Sequence, residues 1–319
     1  MEVKISRMRT RCTVFVLKYL EVDDYKYEFR NMSVSFDKAL LSLRGLSLGD
    51  AFGEQFFNPR SRELIPSRQL PEGVWDWTDD TAMAISLVEV LRDFGVIVQD
   101  ELSQRFAQRY RLEPNRGYGG GAHFLLTQME KPGDWRRLSS QLFAGGSYGN
   151  GASMRVAPLG GFFAGEPERA AFEAQKSAVV THFHDEGQAG AMAVAVAASL
   201  AGSDRQFHFY EFLSYVLECI PDSLVKKKIE LASEIQPGNL SEAISKLGTG
   251  KQVSAQDTVP FCLWCAANNL YDYEEALWQT VSGLGDCDTT CAIVGGIVAL
   301  SAGSLPPEWL KRRESLPDI

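Results

Sequence analysis

Residues 77–94 read WTDDTAMAISLVEVLRDF, an acidic cap (Trp77-Thr78-Asp79-Asp80-Thr81) opening a run in which Ala84, Leu87, Val88 and Leu91 recur at helical spacing. A Thr followed by two Asp is the composition of a helix start, because free backbone N–H groups seek side-chain oxygens and the positive helix end favours anions. The pattern repeats along the chain. Helical spacing of apolar residues predicts helices over Ala39–Phe52, Thr81–Phe94, Leu102–Tyr110, Phe172–Thr181, Gly187–Leu200, Phe209–Cys219, Leu224–Ile235, Leu240–Leu247, Val259–Asn269, Tyr273–Val281 and Thr289–Ala302. Strand-like alternation is confined to the first 35 residues, where Cys12–Leu17 and Tyr25–Phe29 read as a small ribbon. The expected fold is all-α, a compact multi-helix bundle.

The cap at Asp79-Asp80 has a counterpart. Asp286-Cys287-Asp288-Thr289-Thr290, roughly 200 residues later, again opens an apolar helix. One such start is explained by capping; two suggest a shared purpose. Brought face to face, four carboxylates and two threonine hydroxyls repel one another and call for cations, and hard oxygen donors select Mg²⁺ or Mn²⁺ over zinc. Two divalent ions would balance the four charges, clamp vicinal sugar hydroxyls and polarise a water.

Composition limits the alternatives. The chain has 319 residues, is 45% hydrophobic, and carries 32 Lys and Arg against 41 Asp and Glu, a formal charge of −9. That balance excludes nucleic acid and acidic membranes as main partners. The longest small-apolar stretch, Ala189–Gly202, is too short for a membrane span of about 20 residues and reads as a buried helix. The basic start (Lys4, Arg7, Arg9, Arg11) resembles a signal peptide until Lys18 interrupts the apolar run and Glu21, Asp23 and Asp24 replace a cleavage site. Six scattered cysteines suit a reduced, cytoplasmic setting. The pairs Cys262/Cys265 and Cys287/Cys291 have zinc-like spacing, but one lies within an apolar helical pattern and the other among the acidic residues, so buried packing is the simpler assignment.

Glycine clusters at Gly117–Gly121, Gly145–Gly151, Gly160–Gly165 and Gly283–Gly285 fall between helical patterns and mark sharp turns or close approach to a ligand. No linker or repeat divides the chain after residue 35. The expected organisation is a leader over residues 1–35 and one compact domain over 36–319, with Met32 a second candidate start.

Taken in order, Gly49-Asp50-Ala51-Phe52-Gly53, Trp77-Thr78-Asp79-Asp80-Thr81, Gly149-Asn150-Gly151-Ala152-Ser153-Met154-Arg155, Thr181-His182 with Glu186-Gly187, and Gly285-Asp286-Cys287-Asp288-Thr289 resemble the ADP-ribosylglycohydrolase family, of the dinitrogenase reductase-activating glycohydrolase type. The resemblance implies an all-α bundle with two Mg²⁺ (Mn²⁺ as substitute) held by Thr78, Asp79, Asp80, Asp286, Asp288 and Thr289, Asp288 bridging. It implies hydrolysis of the bond joining ADP-ribose to a protein side chain, with arginine the linkage expected by analogy. Asp80 and Asp288 are counted as catalytic with Glu54, which stands four residues after Asp50; the glutamate that many members carry at plus seven is here Phe57. Glu54 would share a helix face with that position. The loop Ser147, Tyr148, Gly149, Asn150 and Gly151 resembles the family's diphosphate and ribose loop, Gly119 lies in the neighbouring cluster, Tyr118 or Tyr148 is expected to stack on adenine, and His182 to contact the ligand.

Some members are immunity proteins against ADP-ribosylating toxins, and in length and position the leader resembles a partner-binding arm. The expected partners are an ADP-ribosylated protein and, through the leader, a cognate transferase toxin. The competing expectation is a catalytically silent ADP-ribose binder or plug.

Overall fold

The computed structural model describes residues 29–319, with side chains from Ser35 onward. The ribbon expected at Cys12–Leu17 and Tyr25–Phe29, and the partner-binding arm, lie outside the described residues. Among the described residues there is no strand. Helices alternate with turns, and the bridges among the described residues are isolated ones at Trp75–Arg313 and Gly149–Ser254.

The longer helices are α1 (Phe29–Glu54), α2 (Asp79–Phe94), α3 (Gln99–Leu112), α4 (Gly120–Gln128), α5 (Asp134–Gln141), α6 (Ala157–Phe162), α7 (Pro167–Val179), α8 (Asp185–Ala201), α9 (Phe209–Cys219), α10 (Leu224–Glu234), α11 (Leu240–Leu247), α12 (Ala255–Asn268), α13 (Tyr273–Val281) and α14 (Cys287–Ala302). All eleven expected helices are present, and three have the boundaries read from the sequence. The expected loop at Gly117–Gly121 is half wrong, since α4 begins at Gly120. Helix α12 starts one turn earlier than its apolar pattern and carries Pro260 in its interior.

At the centre stands α8, the small-apolar stretch, packed against α6, α7, α9, α12 and α14. Its alanines and glycines are nearly all buried. Small side chains let neighbouring backbones come close: a Cβ at Gly160 of α6 would lie 2.2 Å from the Ala195 carbonyl oxygen of α8. No helix among the described residues is long and apolar enough to cross a membrane.

A second close seam joins α1 to α14. Gly45, Gly49 and Gly53 lie one turn apart on α1, and a Cβ on them would come within 2.3 Å of Ala299, 2.0 Å of the Cys291 oxygen and 2.1 Å of the Cys287 oxygen. Hydrogen bonds tie the seam: Ser42 donates to Gly296 O at 2.7 Å, and Tyr273 of α13 donates to Gly45 O at 2.6 Å. Past the seam, Phe52 stacks on Trp309 with centroids 4.5 Å apart and meets Trp278 edge-on at 5.0 Å, so aromatic packing fixes where α1 ends. These contacts set α1 and the start of α14 side by side, with Asp50 and Glu54 beside Asp286 and Asp288.

Candidate active site

Helix α2 starts with Thr78 in extended conformation, its side chain accepting from the Asp80 N–H at 3.3 Å. The Asp79 N–H donates to Arg116 O at 2.7 Å. The other end of Arg116 stacks over the Trp77 ring at 3.5 Å and pairs with Glu113 and Glu314. Asp79 and Asp80 sit in the first turn, buried.

Asp50 explains why two adjacent carboxylates tolerate this position. It is fully buried on α1 and accepts from the Thr78 N–H at 2.9 Å, the Thr78 hydroxyl at 2.8 Å, the Thr81 N–H at 3.1 Å and the Thr81 hydroxyl at 2.5 Å. The free N–H groups at the start of α2 are thus satisfied from outside the helix. This role was missed from sequence, although a signal existed: Asp50 lies on the same helix face as buried Leu43 and Leu46, where a lone carboxylate is abnormal.

Helix α14 opens with Asp286, whose N–H donates to Thr249 O at 3.1 Å and whose carboxylate accepts from Asn150 Nδ2 at 2.8 Å. Asp288 accepts from the Thr289 N–H at 2.7 Å. The two helix starts meet where the Thr289 hydroxyl reaches Asp80 Oδ2 at 3.5 Å. Burial, first, and then repulsion from neighbouring carboxylates push Asp79 up to about 7 and Asp80 and Asp288 well above the ordinary range; burial raises Asp286 as well, against its hydrogen bonds. Burial lifts Asp50 to about 6 against its hydrogen bonds. Glu54, half-buried at the end of α1, is raised by burial and by Asp50, Asp286 and Asp76. The oxygen Asp80 Oδ1 is buried and bonded to nothing among the described residues.

Asp79, Asp80, Asp286, Asp288 and Thr289 form one end of a cavity of about 620 Å³. Gly119 and the loop Ser147–Gly151 line its walls with His182, while the exposed Tyr148 stands at the rim, edge-on to His184. Phe143 and Val253 also line it; both are exposed and hold the left-handed backbone conformation, at φ 59° and 51°. Non-glycine residues in that region carry strain, and none of the sequence patterns pointed to them.

Three expected site residues lie outside the cavity wall. Thr78 stands behind Asp80 with its hydroxyl bonded to Asp50. Glu54 faces the carboxylates from α1 without lining the cavity. Tyr118 is buried in the core, edge-on to Tyr110 at 5.1 Å, so of the two tyrosines considered for stacking it takes the core role. Asn150 bonds Asp286 and Thr258 instead of pointing freely from the loop. His123 bonds the Tyr110 hydroxyl, and His184 caps α8 by accepting from the Glu186 N–H. Cys262, Cys265, Cys287 and Cys291 are buried free thiols. Among the described residues no three His, Cys, Asp or Glu side chains surround a common point as ready-made metal ligands.

The family profile described as ADP-ribosylglycohydrolase matches residues 32–319. The chain belongs to the ADP-ribosylglycohydrolase family. It is accordingly a hydrolase of the glycosidic bond to ADP-ribose. ADP-ribosylhydrolase ARH3 of Bos taurus is 30% identical over 268 residues, covering 73% of each chain. ADP-ribosylarginine hydrolase Tri1 of Pseudomonas putida is 25% identical, over 87% of this chain and 74% of that one. Among solved structures, an ADP-ribosylglycohydrolase-related protein complex superposes with a TM-score of 0.61 at 25% identity, over 88% of this chain and 94% of its own.

Proposed function

We propose that this family member is a Mg²⁺-dependent hydrolase that removes mono-ADP-ribose from modified arginine side chains of proteins. The observation that carries the reading is the meeting of Asp80 and Thr289 at the end of a cavity whose wall is the Ser147–Gly151 loop. The arginine linkage draws support from the likeness to Tri1, whose name gives that substrate.

The donors fit a hard divalent cation: Asp79, Asp80, Asp286 and Asp288 offer carboxylate oxygens, Thr78 and Thr289 hydroxyls, and Asp80 Oδ1 is a buried oxygen in want of a partner. Mn²⁺ would be the substitute. When bound, such ions lower the pKa of water and hold vicinal hydroxyls. The residues do the rest. Asp50 fixes the α2 start by accepting the Thr78 hydroxyl proton in a hydrogen bond, and with the Asp80 N–H on one lone pair the Thr78 oxygen keeps a second for a cation. The glycine loop receives the diphosphate on backbone N–H groups, which suits an acidic protein binding a dianion. Glu54, with its proton affinity raised, serves the departing side chain as proton donor through an intervening water.

The test is release of ADP-ribose from arginine-modified and serine-modified proteins, with Mg²⁺ or with excess chelator. Release from the arginine substrate that chelator abolishes, and that Asp80→Asn lowers by about 100-fold or more, is expected. Release from the serine substrate alone overturns the linkage. No release from either, with ADP-ribose still bound, replaces hydrolysis by silent binding.

A further inference from the structure

A chain of polar contacts runs behind the Ser147–Gly151 loop, from Arg155 through Thr181 to His182. Arg155 is fully buried, its guanidinium 4.4 Å from the Phe106 ring centroid. A guanidinium can only donate. Its Nη1 gives a proton to Gly151 O at 3.2 Å, and its Nη2 to Ser177 O at 3.1 Å and to the Thr181 hydroxyl oxygen at 2.9 Å. Having accepted there, Thr181 retains its own proton. Among the described residues the one further partner of that hydroxyl is His182 Nδ1, at 2.7 Å.

This arrangement decides the direction of the hydrogen bond. Were Nδ1 to donate, the Thr181 proton would be left buried with no acceptor, at a cost larger than the bond it makes. With Thr181 donating, Nδ1 offers its lone pair, and the ring proton resides on Nε2. Coulomb attraction agrees, since a lone pair turned toward the Arg155 side is favoured over an N–H. Burial and the Arg155 charge lower the His182 pKa to about 3, so the ring has only one N–H to give.

Nε2 lies over the glycine loop. A Cβ at Gly149 would stand 3.3 Å from it and one at Gly151 3.1 Å, so a side chain at either position would crowd the ring. No group among the described residues bonds Nε2, and His182 lines the cavity.

We propose that Thr181, oriented by Arg155, is a positioning residue that fixes His182 as its Nε2–H tautomer and so presents a single N–H donor to an acceptor oxygen of ADP-ribose, on its ribose or diphosphate. The inference rests on the proposed ADP-ribose site. Its consequence is specific: the site reads an oxygen with a neutral imidazole whose direction of donation is set by the adjacent Thr181 and by Arg155 behind it.

Nitrogen-15 NMR of the full chain reads the tautomer directly, the His182 signal being assigned by its loss in His182→Asn. A one-bond N–H coupling on Nε2, with Nδ1 unprotonated, is expected. Titration with ADP-ribose and with adenosine then measures binding. Thr181→Val removes the donor and leaves Arg155 bonded to Ser177 and Gly151; it is expected to weaken ADP-ribose about tenfold, raise KM with little change in kcat, and be rescued by Thr181→Ser. A loss shared by adenosine assigns the acceptor to the adenine-linked ribose, one confined to ADP-ribose assigns it to the diphosphate or the distal ribose, and either supports the relay. A proton found on Nδ1, or a Thr181→Val protein that binds ADP-ribose as tightly as the unsubstituted one, overturns it. Should the unsubstituted chain bind no ADP-ribose, the site reading fails, while the NMR result still decides the tautomer.

Discussion

Gly49→Ala probes the seam that sets the acidic helix starts together. The added Cβ would stand 2.0 Å from the backbone oxygen of Cys291, which has no rotamer by which to retreat. Ordinary carbon contacts need about 3.5 Å, so α1 and α14 must part by about 1.5 Å locally. Overpacking of this kind costs about 1–3 kcal/mol. Parting the helices also stretches the bonds from Ser42 to Gly296 O and from Tyr273 to Gly45 O, each contributing about 1 kcal/mol. The expected destabilisation is therefore about 3–5 kcal/mol, or a fall in Tm of about 10 °C for a domain of this size. Urea denaturation followed by far-ultraviolet circular dichroism measures it, with Gly120→Ala as the control. A Cβ there meets no atom within 4 Å, and a change of no more than about 0.5 kcal/mol is expected. Because Asp50 rides on α1, hydrolysis should fall along with stability. A Gly49→Ala protein within about 1 kcal/mol of the unsubstituted chain would refute the reasoning.

Further outcomes follow from the same geometry. Glu54→Gln should lower turnover by about 100-fold or more while ADP-ribose affinity, read by calorimetry, stays within about twofold; intact turnover would remove Glu54 from proton transfer. Tyr148→Ala should weaken ADP-ribose by about fivefold to tenfold, whereas Tyr118→Phe, which deletes a buried hydroxyl with no partner, should leave binding unchanged; the reverse ranking would return stacking to Tyr118. In chelator, stability should decline with rising pH. Asp79 holds its proton more tightly folded, at about 7, than unfolded, so the stability tied to that proton is complete below about pH 4 and is lost as pH climbs through 7. His182, partly buried and held neutral, acts in the opposite sense below its ordinary 6.5, which makes pH 6.5–8.5 the window to measure, and a Tm rising across it would contradict the buried-acid picture.

The fold was legible because the core helices bury a recurrent apolar face, and burial is what periodicity records. Helices α4 and α5 escaped for the converse reason: α4 opens on Gly120 and Gly121, residues that favour turns, and both are held by packing of a few side chains such as Leu125, Leu126 and Trp135. The carboxylates of the site were visible as caps, since a helix start has a local composition. What holds them there was not. Asp50 reaches Thr78 and Thr81 across about 30 residues, and Phe143 and Val253 line the cavity through backbone conformations that no residue type announces.

The contact between Asp80 and Thr289 joins positions 209 residues apart. Before it forms, Asp79 and Asp80 repel Asp286 and Asp288 only through water, where charges interact weakly. The electrostatic cost of the site thus falls on the docking of the two helix starts and not on the formation of either helix. A dication that neutralises the cluster would act on that step alone, speeding its closure and slowing its reopening, and the ends of α2 and α14 would open together as the least stable unit of an otherwise well-packed bundle.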